Sequence, residues 1–226
     1  MIDTHAGWGS LGAEESRHTR RSRRLLQVVA AAALAAAALG AGTQTTQAYG
    51  TALPCSSPAQ SKVFAPWGDN NSYFRIPNGG FEAGSVNWSL SGGAGVVWGN
   101  ESYQVGGSSD SHSLRIPPGG SAESRTVCVS MDQDVVRLFV NNQHVSGAIL
   151  HVEAIAQNPV TGQTAQTAFD VNGDVPSASW SPTMPLDIPN MFGGGGTENL
   201  ALRFTLRGAP ATWYIDDIYV DPFKSW

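Results

Sequence analysis

Alternation of apolar and polar residues with a period of two is the feature that most constrains how this chain can fold. One side of the segment 200–207 carries the apolar residues Leu200, Leu202, Phe204 and Leu206. The same alternation recurs over 136–141 and 148–157, and clusters of glycine or proline separate such segments. Short alternating segments between turns, with no helical segment among them, are typical of a β-sandwich or β-barrel. We therefore predict an all-β, antiparallel β-sandwich over residues 71–226.

The alternation also predicts how some of the strands pair. Residues 158–162 read Asn-Pro-Val-Thr-Gly, a turn sequence, so the flanking segments within 148–171 are expected to form a hairpin. The segment 213–220 is rich in aromatic and β-branched residues and contains no proline, which predicts a central strand. Because a short Gly-Ala-Pro turn precedes it, we expect this strand to pair with the segment 199–207.

Composition and charge argue against several classes of protein. Charged residues make up 14% of the 226 residues and the formal net charge is −5. The chain therefore lacks the basic patch that marks nucleic-acid binding, and its 41% hydrophobic content argues against disorder. No Gly-x-Ser-x-Gly nucleophile elbow occurs, and residues 49–226 contain three histidines, His112, His144 and His151. We predict that the chain is not an enzyme, with a hydrolase of unrecognised type as the remaining alternative.

The first 48 residues have the composition of an export signal. Five arginines precede an uncharged stretch over 25–40 that is rich in alanine and leucine. A membrane span needs about 20 apolar residues, whereas a basic start, a shorter apolar stretch and small residues make a secretory signal peptide. We predict cleavage after Ala48; cleavage after Gly42 and retention as an anchor are the alternatives. Arg23 and Arg24 resemble the twin-arginine export signal, and general secretion is the alternative route.

Removal of residues 1–48 makes the chain more acidic. Five of the 13 basic and three of the 18 acidic residues lie in that segment, so the mature chain carries a formal charge of −7. This charge disfavours binding to anionic lipids and other polyanions. We predict a secreted protein, extracellular or associated with the cell wall, with no membrane insertion after cleavage. Residues 49–70 are expected to form an N-terminal arm that precedes the sandwich.

Cys55 and Cys128 are the two cysteines of the chain. In an exported protein an even number of cysteines most simply indicates a disulfide. A bond between them would close a loop of 73 residue steps and tie the arm to the sandwich, contributing on the order of 4 kcal/mol in the chain-entropy model. The alternatives are a lipid-modified Cys55, which the preceding proline disfavours, and a zinc site, for which no histidine lies nearby.

Two motifs resemble those of jelly-roll carbohydrate-binding modules of the galactose-binding-like type. Residues 78–88 contain Asn-Gly-Gly-Phe-Glu, a glycine and then a tryptophan, as at the start of those modules, and residues 213–220 read Trp-Tyr-Ile-Asp-Asp-Ile-Tyr-Val, which resembles their last strand. Further segments, among them 64–69 and 92–100, are similar to a group of actinobacterial exported proteins. The first resemblance implies a jelly roll whose first and last strands adjoin. The second supports export and fold and implies no chemistry.

The resemblance to carbohydrate-binding modules also implies a structural calcium ion. In those modules a carboxylate from each end of the domain, together with backbone carbonyls, often holds Ca²⁺, which accepts such mixed oxygen ligands. The matching positions are Glu82, after the glycine turn, and Asp216 and Asp217 on the last strand. The alternative is that Glu82 is an ordinary turn residue and that the two aspartates pair with a basic residue, for which Arg75 is a candidate.

Aromatic residues are the candidates for a sugar-binding surface, because an aromatic ring can stack on the apolar face of a pyranose. Trp98 and Tyr103 flank a polar loop, and Trp180 lies in a loop-like Ser-Trp-Ser-Pro segment. We therefore take these three residues as candidate ligand contacts, with packed or merely exposed rings as the alternative. Trp88 and Trp213 fall within strand patterns and are expected in the core.

The sequence favours an exported, non-catalytic β-sandwich module that binds a polysaccharide or cell-wall glycan at or near the cell surface. The alternative is an envelope or protein-interaction module of the same fold with no small-molecule ligand. A groove with two or more exposed aromatic residues on the open face of a sheet would favour carbohydrate. A flat face with scattered polar residues would favour the interaction module.

Overall fold

The computed structural model describes residues 58–130, 134–173, 179–193 and 195–221. The predicted signal peptide and Cys55 lie outside these residues, so cleavage and the disulfide stay predictions. Apart from one short 3₁₀ turn over Ala65–Trp67, the regular secondary structure of the described residues consists of β-strands. The strands are β1 (Phe74–Arg75), β2 (Trp88–Ser91), β3 (Gly95–Trp98), β4 (His112–Ile116), β5 (Ser121–Ser124), β6 (Val127–Ser130), β7 (Asp134–Asn141), β8 (Ala148–Gln157), β9 (Thr164–Asn172), β10 (Ser181–Pro182), β11 (Leu186–Ile188), β12 (Thr197–Gly208) and β13 (Trp213–Asp221).

Two antiparallel sheets contain these strands. The first sheet has the order β10-β7-β13-β4-β3, with β1 paired to β13 and β11 paired to β7. The second sheet has the order β2-β5-β12-β8-β9, with β6 paired to β12. Apolar side chains of both sheets pack into one hydrophobic cluster, which is the arrangement of a β-sandwich. The predicted all-β, antiparallel fold is confirmed.

The core forms because every second residue of a strand points to the same side. Leu138 of β7 and Ile215 of β13 belong to the same core cluster as Leu150 of β8 and Phe204 of β12, and all four side chains are fully buried. The two tryptophans that were expected in the core, Trp88 and Trp213, are both buried in this cluster.

The strand pairings agree with the sequence in two cases and differ in a third. Strands β8 and β9 form the predicted hairpin, and β13 is central, between β7 and β4. The expected pairing of β12 with β13 is wrong, because β12 belongs to the second sheet and β13 to the first. Gly208 has a positive φ of 72°, and the N–H of Ala209 donates to the carbonyl oxygen of Gly147 at 2.8 Å. The link 209–212 carries the chain from one sheet to the other, and both strands turn their apolar sides to the shared core.

A second hydrophobic cluster covers part of the outer side of the first sheet. Phe64, which is fully buried, packs with its ring centroid 5.0 Å from that of Tyr73 and 5.6 Å from that of Phe139 on β7. The guanidinium carbon of Arg137 lies 4.2 Å from the centroid of the Phe64 ring. The predicted N-terminal arm, residues 49–70, thus packs against the sheet through Val63, Phe64 and Trp67. This cover stabilises the outer side of β7 near Phe139.

Candidate functional site

A groove with a volume of about 180 Å³ lies on the outer side of the first sheet. The residues that line it are Trp98, Gly99, Ser113, Asn141, Gln143, Trp180 and Tyr214. Asn141 lies two residues after Phe139 on β7, and Tyr214 directly precedes the core residue Ile215 on β13. Strand alternation therefore places both on the side that faces away from the core. The groove lies beside the surface that the Phe64 cluster covers.

The groove is bordered by aromatic rings that differ in exposure. Trp98, at the end of β3, is 81% exposed, and its ring lies steeply inclined to the His112 ring at a centroid distance of 5.2 Å. Trp180, just before β10, is half-buried, and the hydroxyl of Tyr103 donates to its carbonyl oxygen at 3.3 Å. The half-buried Tyr214 completes the set. Of the three rings only that of Trp98 is largely exposed, so the groove has one exposed aromatic residue and not the two or more that the sequence criterion named; Trp180 and Tyr214 are half-buried.

Polar groups of the groove come from a strand and a tightly held turn. The Oγ of Ser113 on β4 is buried and has no hydrogen-bond partner among the described residues. The Oδ1 of Asn141 accepts a hydrogen bond from the N–H of Gln143 at 2.8 Å. Asn142 donates to the carbonyl oxygens of Val145 and Gly173 at 3.1 and 3.0 Å, which fixes the turn that carries Gln143. Hydroxyl and amide groups therefore stand beside the aromatic rings.

The structure brings two of the three predicted contact residues together. Trp98 and Trp180 line the same groove, although 82 positions separate them in the chain. Tyr103 does not appear in its lining; its ring packs edge-on against Trp67 at 4.9 Å, and its hydroxyl holds the backbone of Trp180. The sequence analysis missed Tyr214 and Ser113. Alternation could have placed both on the outer side, because each directly precedes a core residue on its strand.

Buried acids form a separate cluster where β13 is irregular. The pairing of β13 with β7 shifts register between Asp216 and Tyr219, and Asp217 has a positive φ of 46°. The carboxylate of Asp216 accepts hydrogen bonds from the N–H groups of Glu101 at 2.9 Å and Asp217 at 2.8 Å. Burial, together with the charge of Asp217, raises the pKa of Asp216 to about 9. Burial also raises the pKa of Glu101.

Arg75 supplies the positive charge of this cluster. Its Nη1 lies 2.8 Å from an oxygen of Asp217 and 2.8 Å from an oxygen of Asp110. The other oxygen of Asp217 accepts a hydrogen bond from the N–H of Gly106 at 3.0 Å. Burial raises the pKa of the Asp217 carboxyl, and the guanidinium of Arg75 acts against that rise. The pairing with Arg75, which the sequence left open for both aspartates, is present for Asp217, whereas Asp216 accepts hydrogen bonds from backbone N–H groups instead.

The predicted calcium ligands do not make a calcium cage in this arrangement. Glu82 accepts hydrogen bonds from the N–H groups of Ser111 and His112, both at 2.7 Å, while Asp216 and Asp217 have the separate partners given above. No group of three or more His, Cys, Asp or Glu side chains in the described part of the chain is arranged to hold a metal ion. Because donor groups already face these oxygens, Ca²⁺ would have to displace them in order to bind here. Calcium binding stays a prediction, and equal melting temperatures in EDTA and in millimolar Ca²⁺ would contradict it.

Among known proteins, this chain is similar to solved structures but matches no family model and no curated sequence. Similar solved structures include TmCBM61 in complex with β-1,4-galactotriose, at 17% identity over 67% of this chain and 98% of that chain, with a TM-score of 0.40. A family 16 carbohydrate-binding module matches at 14% identity over 65% and 99%, with a TM-score of 0.42. The xylan-binding module CBM15 matches at 13% identity over 69% and 99%, with a TM-score of 0.43.

These matches do not decide the function of the groove. Their identities lie below 20% and their TM-scores below 0.5. The fold assignment therefore rests on the strands, their pairing and the shared core, and the function is inferred from the residues of the groove.

Among the described residues, no helix has the length and apolar character needed to cross a membrane.

Proposed function

We propose that this chain is an exported, non-catalytic β-sandwich module that binds carbohydrate in the groove of the first sheet. The observation that carries the proposal is the meeting of Trp98, Trp180 and Tyr214 with the polar groups of Ser113 and Gln143 in one groove. The lining comes from β3, β4, β7 and β13 and from the turns beside them. A site built on several paired strands is held more rigidly than one on a single loop.

The chemistry of a sugar ring matches this combination of groups. A pyranose has an apolar face of C–H groups and an edge of hydroxyls, so it needs an aromatic platform and hydrogen-bonding partners close together. Trp98 offers a largely exposed indole for stacking. The Oγ of Ser113 and the amide of Gln143 can both donate and accept hydrogen bonds. Gln143 is exposed, so its amide is open to a sugar hydroxyl, whereas the buried Oγ of Ser113 becomes accessible only when a neighbouring side chain moves.

The lining of the groove supports binding without catalysis. Hydrolysis of a glycosidic bond generally needs two carboxyl groups, about 5 to 10 Å apart, on either side of the bond. Among the described residues that line the groove, none carries a carboxylate, an imidazole or a thiol. The buried acids Glu101, Asp216 and Asp217 instead accept hydrogen bonds from backbone N–H groups.

Export and the cell-surface location are part of the same proposal. They are supported by the five arginines and the uncharged stretch over 25–40 that precede the folded part of the chain. We expect the ligand to be a polysaccharide or a cell-wall glycan. N-terminal sequencing of the secreted protein should begin near Tyr49; full-length protein retained in the membrane would contradict this.

Glycan binding is the direct test of the proposed function. The purified protein is applied to a glycan array that includes β-1,4-galactan and xylan fragments, and affinities for the best ligands are measured by calorimetry. Trp98→Ala and Trp180→Ala should each weaken binding at least tenfold, because each removes a stacking surface. Val160→Ala is the matched control, since Val160 is 91% exposed on the β8–β9 turn of the other sheet.

Two results would overturn the proposal. One is the absence of binding to every glycan of the array by a protein that melts cooperatively. The other is glycan binding that neither tryptophan variant weakens. Absence of glycan binding together with retention on an envelope fraction would favour the alternative of an interaction module.

A further inference from the structure

Arg115 stands beside the groove on the same side of the first sheet. It lies on β4 two residues after Ser113, which lines the groove, so both side chains leave the strand on its outer side. Its register partner on β13 is Tyr214, which also lines the groove. Residues directly opposite each other in an antiparallel pair have Cβ atoms roughly 5 Å apart. Arg115 is not itself part of the lining, but its Cβ therefore lies beside that of Tyr214, within reach of the groove for a side chain as long as arginine.

The surroundings of Arg115 leave its charge available to a ligand. The side chain is half-buried, and it forms no ion pair with any described residue, whereas Arg75, Arg137 and Arg203 all do. Its register partner on the other side is Gly95 of β3. A Cβ placed on Gly95 would meet no atom within 4 Å, so the space next to Arg115 is open.

We propose that the groove takes a glycan that carries a carboxylate, such as a uronic-acid oligosaccharide, and that Arg115 binds this carboxylate. The inference rests on the proposed function and names its ligand class. A guanidinium binds a carboxylate through two parallel hydrogen bonds, which are stronger than bonds between neutral groups. The rings of Trp98 and Tyr214 hold the sugar, the exposed amide of Gln143 binds a hydroxyl, and Arg115 distinguishes the acid from the neutral sugar.

The net negative charge of residues 49–226 opposes the approach of an acidic glycan, but it does not prevent a direct contact between Arg115 and a carboxylate. A formal charge of −7 on residues 49–226 repels polyanions at a distance. That repulsion is screened over about 8 Å at physiological ionic strength, whereas a direct bidentate contact is not. We therefore expect the preference for a carboxylate to appear with short oligosaccharides at physiological salt, and to require Arg115 itself.

The test compares acidic oligosaccharides with their neutral counterparts. The probes are trimers of galacturonic acid and of glucuronic acid, the same trimers after reduction of their carboxyl groups, and a sulfated trimer. The protein should bind one of the acidic trimers at least tenfold more tightly than its reduced form. Arg115→Gln should abolish this preference while keeping the affinity for the reduced form, and Arg115→Lys should restore part of it. Arg207→Gln, on an exposed arginine of the second sheet, should leave the preference unchanged.

The outcomes separate this inference from the proposed function. Equal binding of acidic and reduced trimers, abolished in both cases by Trp98→Ala, would refute the role of Arg115 and leave carbohydrate binding intact. Equal binding of the sulfated and the acidic trimers would refute the assignment of a carboxylate. Absence of binding to all the trimers and to the glycan array would refute the proposed function itself. Melting curves of each variant establish that the fold is kept.

Discussion

Glu198 carries a buried carboxyl group that should weaken the fold as the pH rises. The residue lies on β12, only 2% exposed, in phase with the core residues Leu200 and Leu202. Its Oε2 has no hydrogen-bond partner among the described residues, and burial raises its pKa from 4.5 to about 7. The folded state therefore keeps a proton that the unfolded chain releases. Stability contributed by this group is complete below pH 4.5 and is lost as the pH rises through 7.

The magnitude follows from the size of the pKa shift. A rise from 4.5 to about 7 corresponds to at most about 3 kcal/mol of lost stability above pH 7, at about 1.4 kcal/mol for each pH unit. Relaxation of the surroundings lowers this, so we expect about 1 to 3 kcal/mol. Glu198→Gln removes the charge with little change of shape. It should change the free energy of unfolding little at pH 4 and raise it by about 1 to 3 kcal/mol at pH 8.

Urea unfolding followed by tryptophan fluorescence at pH 4, 6 and 8 measures this difference. The difference between variant and parent is used because other buried acids, such as Asp216, also respond to pH. Glu123→Gln is the control: its carboxylate accepts a hydrogen bond from the Nε of Arg203 at 2.8 Å, so its loss should destabilise the fold at pH 8. Two results would refute this reasoning. One is a change in the free energy of unfolding on Glu198→Gln that is the same at pH 4 and pH 8. The other is a variant that is less stable than the parent at pH 8.

Three further predictions concern the outer side of the first sheet and the disulfide. Phe64→Ala should lower the free energy of unfolding by about 3 to 5 kcal/mol in urea titrations, because it removes a fully buried ring; a loss below 1 kcal/mol would mean that the segment around it packs weakly. Arg75→Gln should cost about 3 to 5 kcal/mol at pH 7, because it leaves the buried Asp217 without its cation, and an additional Asp217→Asn change should recover part of this; no recovery would contradict the ion pair. Thiol titration of denatured, unreduced protein should find no free thiol at Cys55 or Cys128, and one or two reactive thiols per chain would disprove the disulfide.

The period-two pattern was sufficient to predict the strands and their core-facing sides. Leu200, Leu202 and Phe204 are buried as their spacing predicts, and the hairpin of β8 and β9 follows from its turn sequence. The same pattern places Glu198 in phase with Leu200, so the buried carboxyl could also have been recognised from the sequence. These features are local, because the direction of each side chain depends on the geometry of its own strand.

Only the tertiary structure decided which strands became neighbours and what they brought together. Strands β12 and β13 both bury one apolar side, and that property fits pairing within one sheet as well as packing across the core from opposite sheets. The groove depends on this choice, since Trp98 and Trp180 approach each other only because β3, β4, β13, β7 and β10 lie side by side in that order. Alternation specifies the side of a strand to which a residue belongs. The partner of that strand is specified by packing between residues far apart in the chain, which no local pattern records.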